Sequence, residues 1–193
     1  MLFAVFMATL WGQPEPGTRL TPVRLSDDLG GLPDGDNWRS SQLVGNPSVL
    51  VYVHPDKLNL NQPLQQAILS TSIDPTMYGR ALVLNTRATW KPDRFIQASI
   101  WIQRISKTFK EAKTEGIVQA LLVSPPAKAT DWTLILDKNN VLTRAWKLPP
   151  ADYHAFLLDS KGIVKDYHHG PFNAEKARMW AGILEKLVGT GKG

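Results

Sequence analysis

The residues best placed to do chemistry follow the first strongly apolar segment of the chain, residues 49–53. His54 comes directly after this segment, and Asp56 follows two residues later in the stretch HPDKLN. A histidine can act as a general base near neutral pH, and a neighbouring carboxylate can orient its ring. The same HPD stretch also fits a turn in which Asp56 caps the next helix. Both interpretations stay open, and the turn is favoured.

The sequence contains no cysteine. Thiol nucleophiles, disulfides, cysteine-based zinc sites and iron–sulfur clusters all need a thiolate, so the sequence excludes them. His168 and His169 are adjacent on a predicted strand, where neighbouring side chains point to opposite faces. No H-x-x-x-H or H-E-x-x-H spacing is present either. We therefore predict no metal site, no cofactor and no catalytic residue.

Two similar segments, LILDKNNVLTRAW and FLLDSKGIVKDY, each place an aspartate between an apolar run and a turn. These aspartates are Asp137 and Asp159. The two carboxylates could converge on a metal ion, or each could bond the backbone of its own turn. The second interpretation is favoured, because an aspartate that begins a turn commonly bonds the backbone in this way.

Segments with the pattern of strands alternate along the chain with segments that have the pattern of helices, which predicts an α/β fold with a mixed sheet. Short runs rich in β-branched residues predict buried strands at residues 49–53, 80–86, 117–123 and 132–137. Apolar residues spaced three to four apart predict helices from Asn61 to about Thr71, from Asp93 to Gly116, and from Asn173 to Gly189. The segments AFLLD and IVKDY, joined by SKG, predict an antiparallel hairpin.

Length and composition are those of one ordinary globular domain, with 193 residues, 43% of them hydrophobic and 20% charged. The net charge of +5 is mild and the basic residues are scattered, so we expect no nucleic-acid partner. Residues 1–12, MLFAVFMATLWG, have the length and apolar character of a signal-peptide core and are too short to span a membrane. A buried N-terminal helix or strand is the alternative.

We expect residues 1–12 to be an export signal to the periplasm and residues 13–193 to form a single domain with an N-terminal extension. No lysine or arginine precedes the apolar run, as though the start had been placed too late. No other segment has the length and apolar character of a membrane span, so we predict none in the mature chain.

The order of these elements resembles the thioredoxin-like superfamily, and most closely its peroxiredoxin and TlpA-like branches. More narrowly, NWRSSQLVGNPSVL, ALVLNT, ILDKNNVLTRAWKL and LLDSKGIV resemble the YtfJ family of exported bacterial proteins. The similarity extends over about residues 17–188. It implies a thioredoxin-like three-layer sandwich, in which helices flank a mixed central sheet. It does not imply an activity, because the YtfJ family has none established.

The departures from the superfamily pattern lie at its active site. Redox-active members carry cysteines directly after the strand that ends here at Val53, where this sequence has HPDKLN. Thioredoxins also carry a cis-proline at the position of Tyr153, whereas Pro149 and Pro150 lie just upstream. The resemblance therefore implies the scaffold without its usual thiol reaction.

We predict that the chain binds a protein or peptide partner in a groove between these two loops. The predicted binding residues are His54, Asp56, Lys57, Pro150, Tyr153 and His154. One alternative is a hydrolase or other enzyme that uses His54, Asp56 and Tyr153. Another is a small-molecule or metal binder that uses the histidines. The sequence leaves the oligomeric state open.

Overall fold

The computed structural model of the protein describes residues 14–54, 57, 60–87 and 132–190. Three predictions fall outside these residues: the export signal at 1–12, the helix from Asp93 to Gly116 and the strand at 117–123. Asp56, one of the predicted binding residues, also lies outside them.

The described residues form the strands β1 (Arg24–Leu25), β2 (Gly30–Gly31), β3 (Trp38–Arg39), β4 (Ser48–Val53), β5 (Gly79–Asn85), β6 (Trp132–Asp137), β7 (Tyr153–Leu158) and β8 (Val164–His169). Six of these strands form a mixed sheet at the centre, in the order β2-β6-β5-β4-β7-β8. β4 lies between β5, its parallel neighbour, and β7, its antiparallel neighbour. β6 extends the sheet in parallel beyond β5, and β8 pairs antiparallel with β7.

Helices and the N-terminal segment cover the two faces of this sheet. The described α-helices are α1 (Gln62–Leu69), α2 (Val141–Ala145) and α3 (Ala174–Thr190). α1 and α3 pack on one face, which we call the helix face, where Val49, Val51 and Val53 meet the apolar sides of both helices. The opposite face, which we call the N-terminal face, is covered by α2 and by the segment that contains β1 and β3. The alternation along β4 therefore fills two cores, and the predicted mixed sheet with flanking helices is confirmed.

The tryptophan side chains in the described part of the chain belong to these cores. Trp38 and Trp146 are buried on the N-terminal face, and Trp132 and Trp180 on the helix face. Burial of large aromatic side chains on both faces contributes strongly to stability.

Local sequence signals explain the start of α3 and the turn between β7 and β8. Asn173 caps α3, because its Oδ1 accepts a hydrogen bond of 2.7 Å from the Lys176 N–H. α3 continues to Thr190 rather than ending at the predicted Gly189. The β7–β8 hairpin turns as predicted at Gly162, which has a φ of +75°.

The short strand β2 shows why glycine is needed where two backbones approach closely. Gly30 has a φ of +121°, and a Cβ added there would overlap the carbonyl oxygen of Leu136 on β6. Only glycine combines this backbone conformation with this contact. Among the described elements, no helix has both the length and the apolar character needed to cross a membrane.

Candidate functional site

Two loops meet where β4 ends and β7 begins. Val53 and Tyr153 are cross-strand partners, and the His54 N–H donates a 2.9 Å hydrogen bond to the Asp152 carbonyl. A second backbone bond, from the Lys57 N–H to the His54 carbonyl (2.8 Å), turns the chain after β4. We call His54 and Lys57 together with residues 149–152 the paired loops. The structure thus brings together the two loops that the sequence predicts to border a groove.

Three of the predicted binding residues lie at the surface of the paired loops. Lys57 and Pro150 are exposed, and His54 is half-buried. Asp152, which was not among the residues predicted from the sequence, is exposed beside them, and its carbonyl accepts the hydrogen bond from the His54 N–H. The surface of the paired loops therefore presents a lysine, a carboxylate, an imidazole and a proline, a set suited to polar recognition.

Tyr153 lies below this surface rather than on it. Its side chain is fully buried on the helix face, and its hydroxyl donates a 2.9 Å hydrogen bond to Asn61 Oδ1. Its ring meets Phe172 edge to face at 5.9 Å. Burial raises the pKa of the Tyr153 hydroxyl. Tyr153 accordingly positions the start of α1 against β7, and a partner at the surface would not contact its hydroxyl directly.

The side chain of Asn61 does not cap α1, although the helix begins where the sequence predicts. Asn61 occupies the predicted N-cap position, but its side chain makes no capping hydrogen bond, because it turns inward to Tyr153. Its Nδ2 is buried and has no hydrogen-bond partner among the described residues. A buried amide nitrogen that donates no hydrogen bond lowers stability, so the link between Asn61 and Tyr153 carries a cost.

His154 points to the opposite face from Tyr153, because adjacent strand residues alternate. It is buried, with 1% of its surface exposed, and its Nδ1 lies 2.8 Å from the Tyr167 hydroxyl. Burial lowers the pKa of His154 to about 4, although a hydrogen bond with the Ala151 backbone and the charge of Asp152 oppose this shift. A single groove cannot be lined by the side chains of both Tyr153 and His154, so the predicted set divides into surface residues and buried residues.

The two histidines at the end of β8 lie on opposite faces, as predicted. The His168 ring packs against Phe172 at 4.3 Å, on the helix face. The His169 ring lies 6.5 Å from the His154 ring, on the other face. In the described ranges, no group of three histidine, aspartate or glutamate side chains converges as a metal site would require.

Asp137 and Asp159 each bond the backbone of the following turn. Asp137 Oδ1 accepts hydrogen bonds from the N–H groups of Asn139 and Val141, at 3.3 and 2.8 Å. Asp159 Oδ1 accepts from Lys161 and Ile163, at 2.9 and 3.0 Å. In both turns the N–H donors lie two and four residues after the aspartate that accepts from them. The similarity of the two segments therefore reflects turn geometry.

The second oxygens of these carboxylates have different surroundings. Asp137 Oδ2 is buried and accepts hydrogen bonds from the Leu142 N–H at 3.0 Å and from the Tyr52 hydroxyl at 3.3 Å. Asp159 Oδ2 lies 2.9 Å from Lys165 Nζ near the surface. Partial burial by itself would raise the pKa of Asp159, but hydrogen bonds from Ile163, Lys165 and Lys161 outweigh it and lower the pKa.

Solved structures with the same architecture are thioredoxin-like proteins. A protein described as the thiol:disulfide interchange protein DsbE of Chlorobium tepidum superposes with a TM-score of 0.55 at 16% identity, covering 90% of this chain and 98% of that chain. A protein described as a disulfide isomerase of Bacteroides thetaiotaomicron gives 0.53 at 15% identity, with 90% of each chain covered. The thiol peroxidase of Chromobacterium violaceum gives 0.51 at 13% identity, covering 94% of this chain and 89% of that one.

These similarities establish the thioredoxin-like fold for this chain. No protein-family model matches the sequence. No curated protein matches it either. At these identities the shared property is the fold alone, so function has to be argued from the site.

Proposed function

We propose that this chain is an exported, periplasmic thioredoxin-fold protein of the YtfJ type, which binds a protein or peptide partner at the paired loops without thiol chemistry. The observation that carries the proposal is the bond between the His54 N–H and the Asp152 carbonyl. It joins the two loops beyond the carboxyl end of the central strand β4, where open α/β folds bind ligands. The sequence contains no cysteine there or elsewhere.

The chemistry of the loop surface supports a protein or peptide as the occupant. Lys57 and Asp152 offer opposite charges, and both are exposed. Pro150 and the half-buried His54 lie on the same two loops and provide apolar and hydrogen-bonding contact. Mixed polar and apolar contacts of this kind are typical of reversible protein–protein interfaces.

The absence of cysteine from the sequence supports a role other than thiol exchange. Disulfide interchange and thiol peroxidation both begin with attack by a thiolate. His54 occupies the position directly after β4, and its backbone serves to join the loops. The proposed role therefore depends on recognition alone. Export is supported by the apolar run at residues 1–12, which has the character of a signal-peptide core.

Site-specific photo-crosslinking in living cells tests the proposal. A photoreactive residue is placed at Lys57 and, separately, at Pro150, both of which are exposed on the paired loops. The control position is Glu185, which is exposed on α3. We expect a discrete crosslinked protein at Lys57 and Pro150 and none at Glu185. Folded, exported protein that gives no crosslink at either loop position, or the same crosslinks at all three positions, would contradict the proposal.

A further inference from the structure

His154 lies where three strands and the paired loops meet. Its side chain has 1% of its surface exposed and is packed among aromatic rings on the N-terminal face. Tyr52 on β4 meets it edge to face at 5.9 Å. Tyr167 on β8 lies nearly parallel to it, with ring centres 6.1 Å apart. These neighbours leave little room for water around a charged imidazole.

The hydrogen-bond partner of His154 on β8 is uncharged. Nδ1 lies 2.8 Å from the Tyr167 hydroxyl, which can pair with one nitrogen of a neutral imidazole. A protonated ring would present two donors and a full charge without a carboxylate in hydrogen-bond contact among the described residues.

The charged and titratable groups that face His154 from neighbouring elements have opposite effects on its protonation. Asp152, in the loop before β7, favours the protonated ring, and His169 on β8 disfavours it. Asp137 contacts this cluster through Tyr52, whose hydroxyl also accepts a 2.8 Å hydrogen bond from Thr143 on α2. Burial outweighs these effects and lowers the pKa of His154 to about 4.

The pKa of His154 is lower in the folded chain than in an opened or unfolded chain, in which a histidine has an ordinary pKa of about 6.5. The folded form therefore binds fewer protons between about pH 6.5 and pH 4. The contribution of His154 to stability is fully present above that range and is lost as the pH falls through it.

We propose that His154 is an acid-sensitive latch: its protonation loosens the start of β7 from the end of β8 and releases residues 149–152, one side of the paired loops. The proposal rests on the proposed function for its biological meaning, since those residues form part of the binding surface. The connection is short, because His154 lies two residues after Asp152, whose carbonyl accepts the hydrogen bond from the His54 N–H. Acid would therefore alter the same surface that binds the partner.

Hydrogen exchange of the purified full chain between pH 7 and pH 4, corrected for the intrinsic rates, tests the latch. We expect amides of residues 151–155 and 167–170 to lose protection by about two orders of magnitude more than those of β5. In His154→Gln, which cannot be protonated, this selective loss should disappear. In the matched control His168→Gln, on the other face of β8, it should remain. Uniform loss across the sheet, or a wild-type profile in His154→Gln, would overturn the proposal.

A second measurement keeps the test valid if His154→Gln does not fold. Titration of the His154 ring signals of the wild-type chain by NMR should show that this imidazole protonates near pH 4. Protonation of His154 near pH 6.5 would overturn the latch. Both measurements use the chain without a partner, so failure to find a crosslinked protein leaves them interpretable. Conversely, failure of the latch leaves crosslinking at neutral pH unaffected.

Discussion

Replacement of Asp137 by alanine is expected to lower the free energy of unfolding by about 3–5 kcal/mol. The Asp137 side chain is fully buried and accepts hydrogen bonds from the backbone N–H groups of Asn139, Val141 and Leu142. Alanine would leave these donors without an acceptor at the start of α2 and would remove the contact with Tyr52. Denaturant unfolding monitored by circular dichroism measures the loss.

Asp159→Ala is the matched control for this change. Asp159 bonds its own turn with the same spacing, two and four residues ahead, but its second oxygen is near the surface beside Lys165. Water can replace the lost acceptor there, so we expect a loss of about 1 kcal/mol. Equal losses for the two variants would contradict the view that burial of the Asp137 network, rather than the turn itself, stabilises the N-terminal face.

Replacement of Trp180 by alanine is expected to cost about 3–5 kcal/mol of unfolding free energy. Trp180 is 1% exposed and meets Phe172 edge to face at 5.0 Å. Its Nε1 also donates a 2.9 Å hydrogen bond to Asp166 Oδ2, which joins α3 to β8. The change would open a cavity on the helix face and remove one of the two hydrogen bonds to this oxygen, the other coming from Lys176.

Met179→Ala provides the comparison within the same helix. Met179 precedes Trp180 but is 45% exposed, so its truncation creates no cavity in the core. We expect a loss below about 0.5 kcal/mol, measured by the same denaturant unfolding. Equal losses for Met179→Ala and Trp180→Ala would contradict the packing of α3 on the helix face through Trp180.

The sequence predicts the fold well where the signal is local. The apolar run at residues 49–53 lies inside β4, a central strand whose residues are all buried. The β7–β8 hairpin turns at its glycine, and α3 begins after its asparagine cap. Each of these signals depends on residues within a few positions of one another, which is why periodicity and turn chemistry reveal them.

The candidate site was less predictable because its contacts join residues far apart in the chain. Asn61 and Tyr153 are 92 residues apart, and no local pattern shows that Tyr153 would draw the Asn61 side chain away from the helix. His54 and Asp152, which are joined by a backbone hydrogen bond, also lie far apart in the sequence, so no local pattern predicts their contact. The separation of Tyr153 from His154 did have a signal, since neighbours on a strand face opposite sides.

Partner binding at the paired loops is tested most directly by the affinity of the crosslinked protein for the purified chain. Calorimetry at pH 7 compares wild type with a Lys57→Ala, Asp152→Ala double variant, which keeps the backbone bond between the loops, and with the control Glu185→Ala. We predict at least about tenfold weaker binding for the double variant, wild-type binding for Glu185→Ala, and no effect of thiol reductant. Unchanged affinity in the double variant, with both proteins folded, would contradict binding at the paired loops.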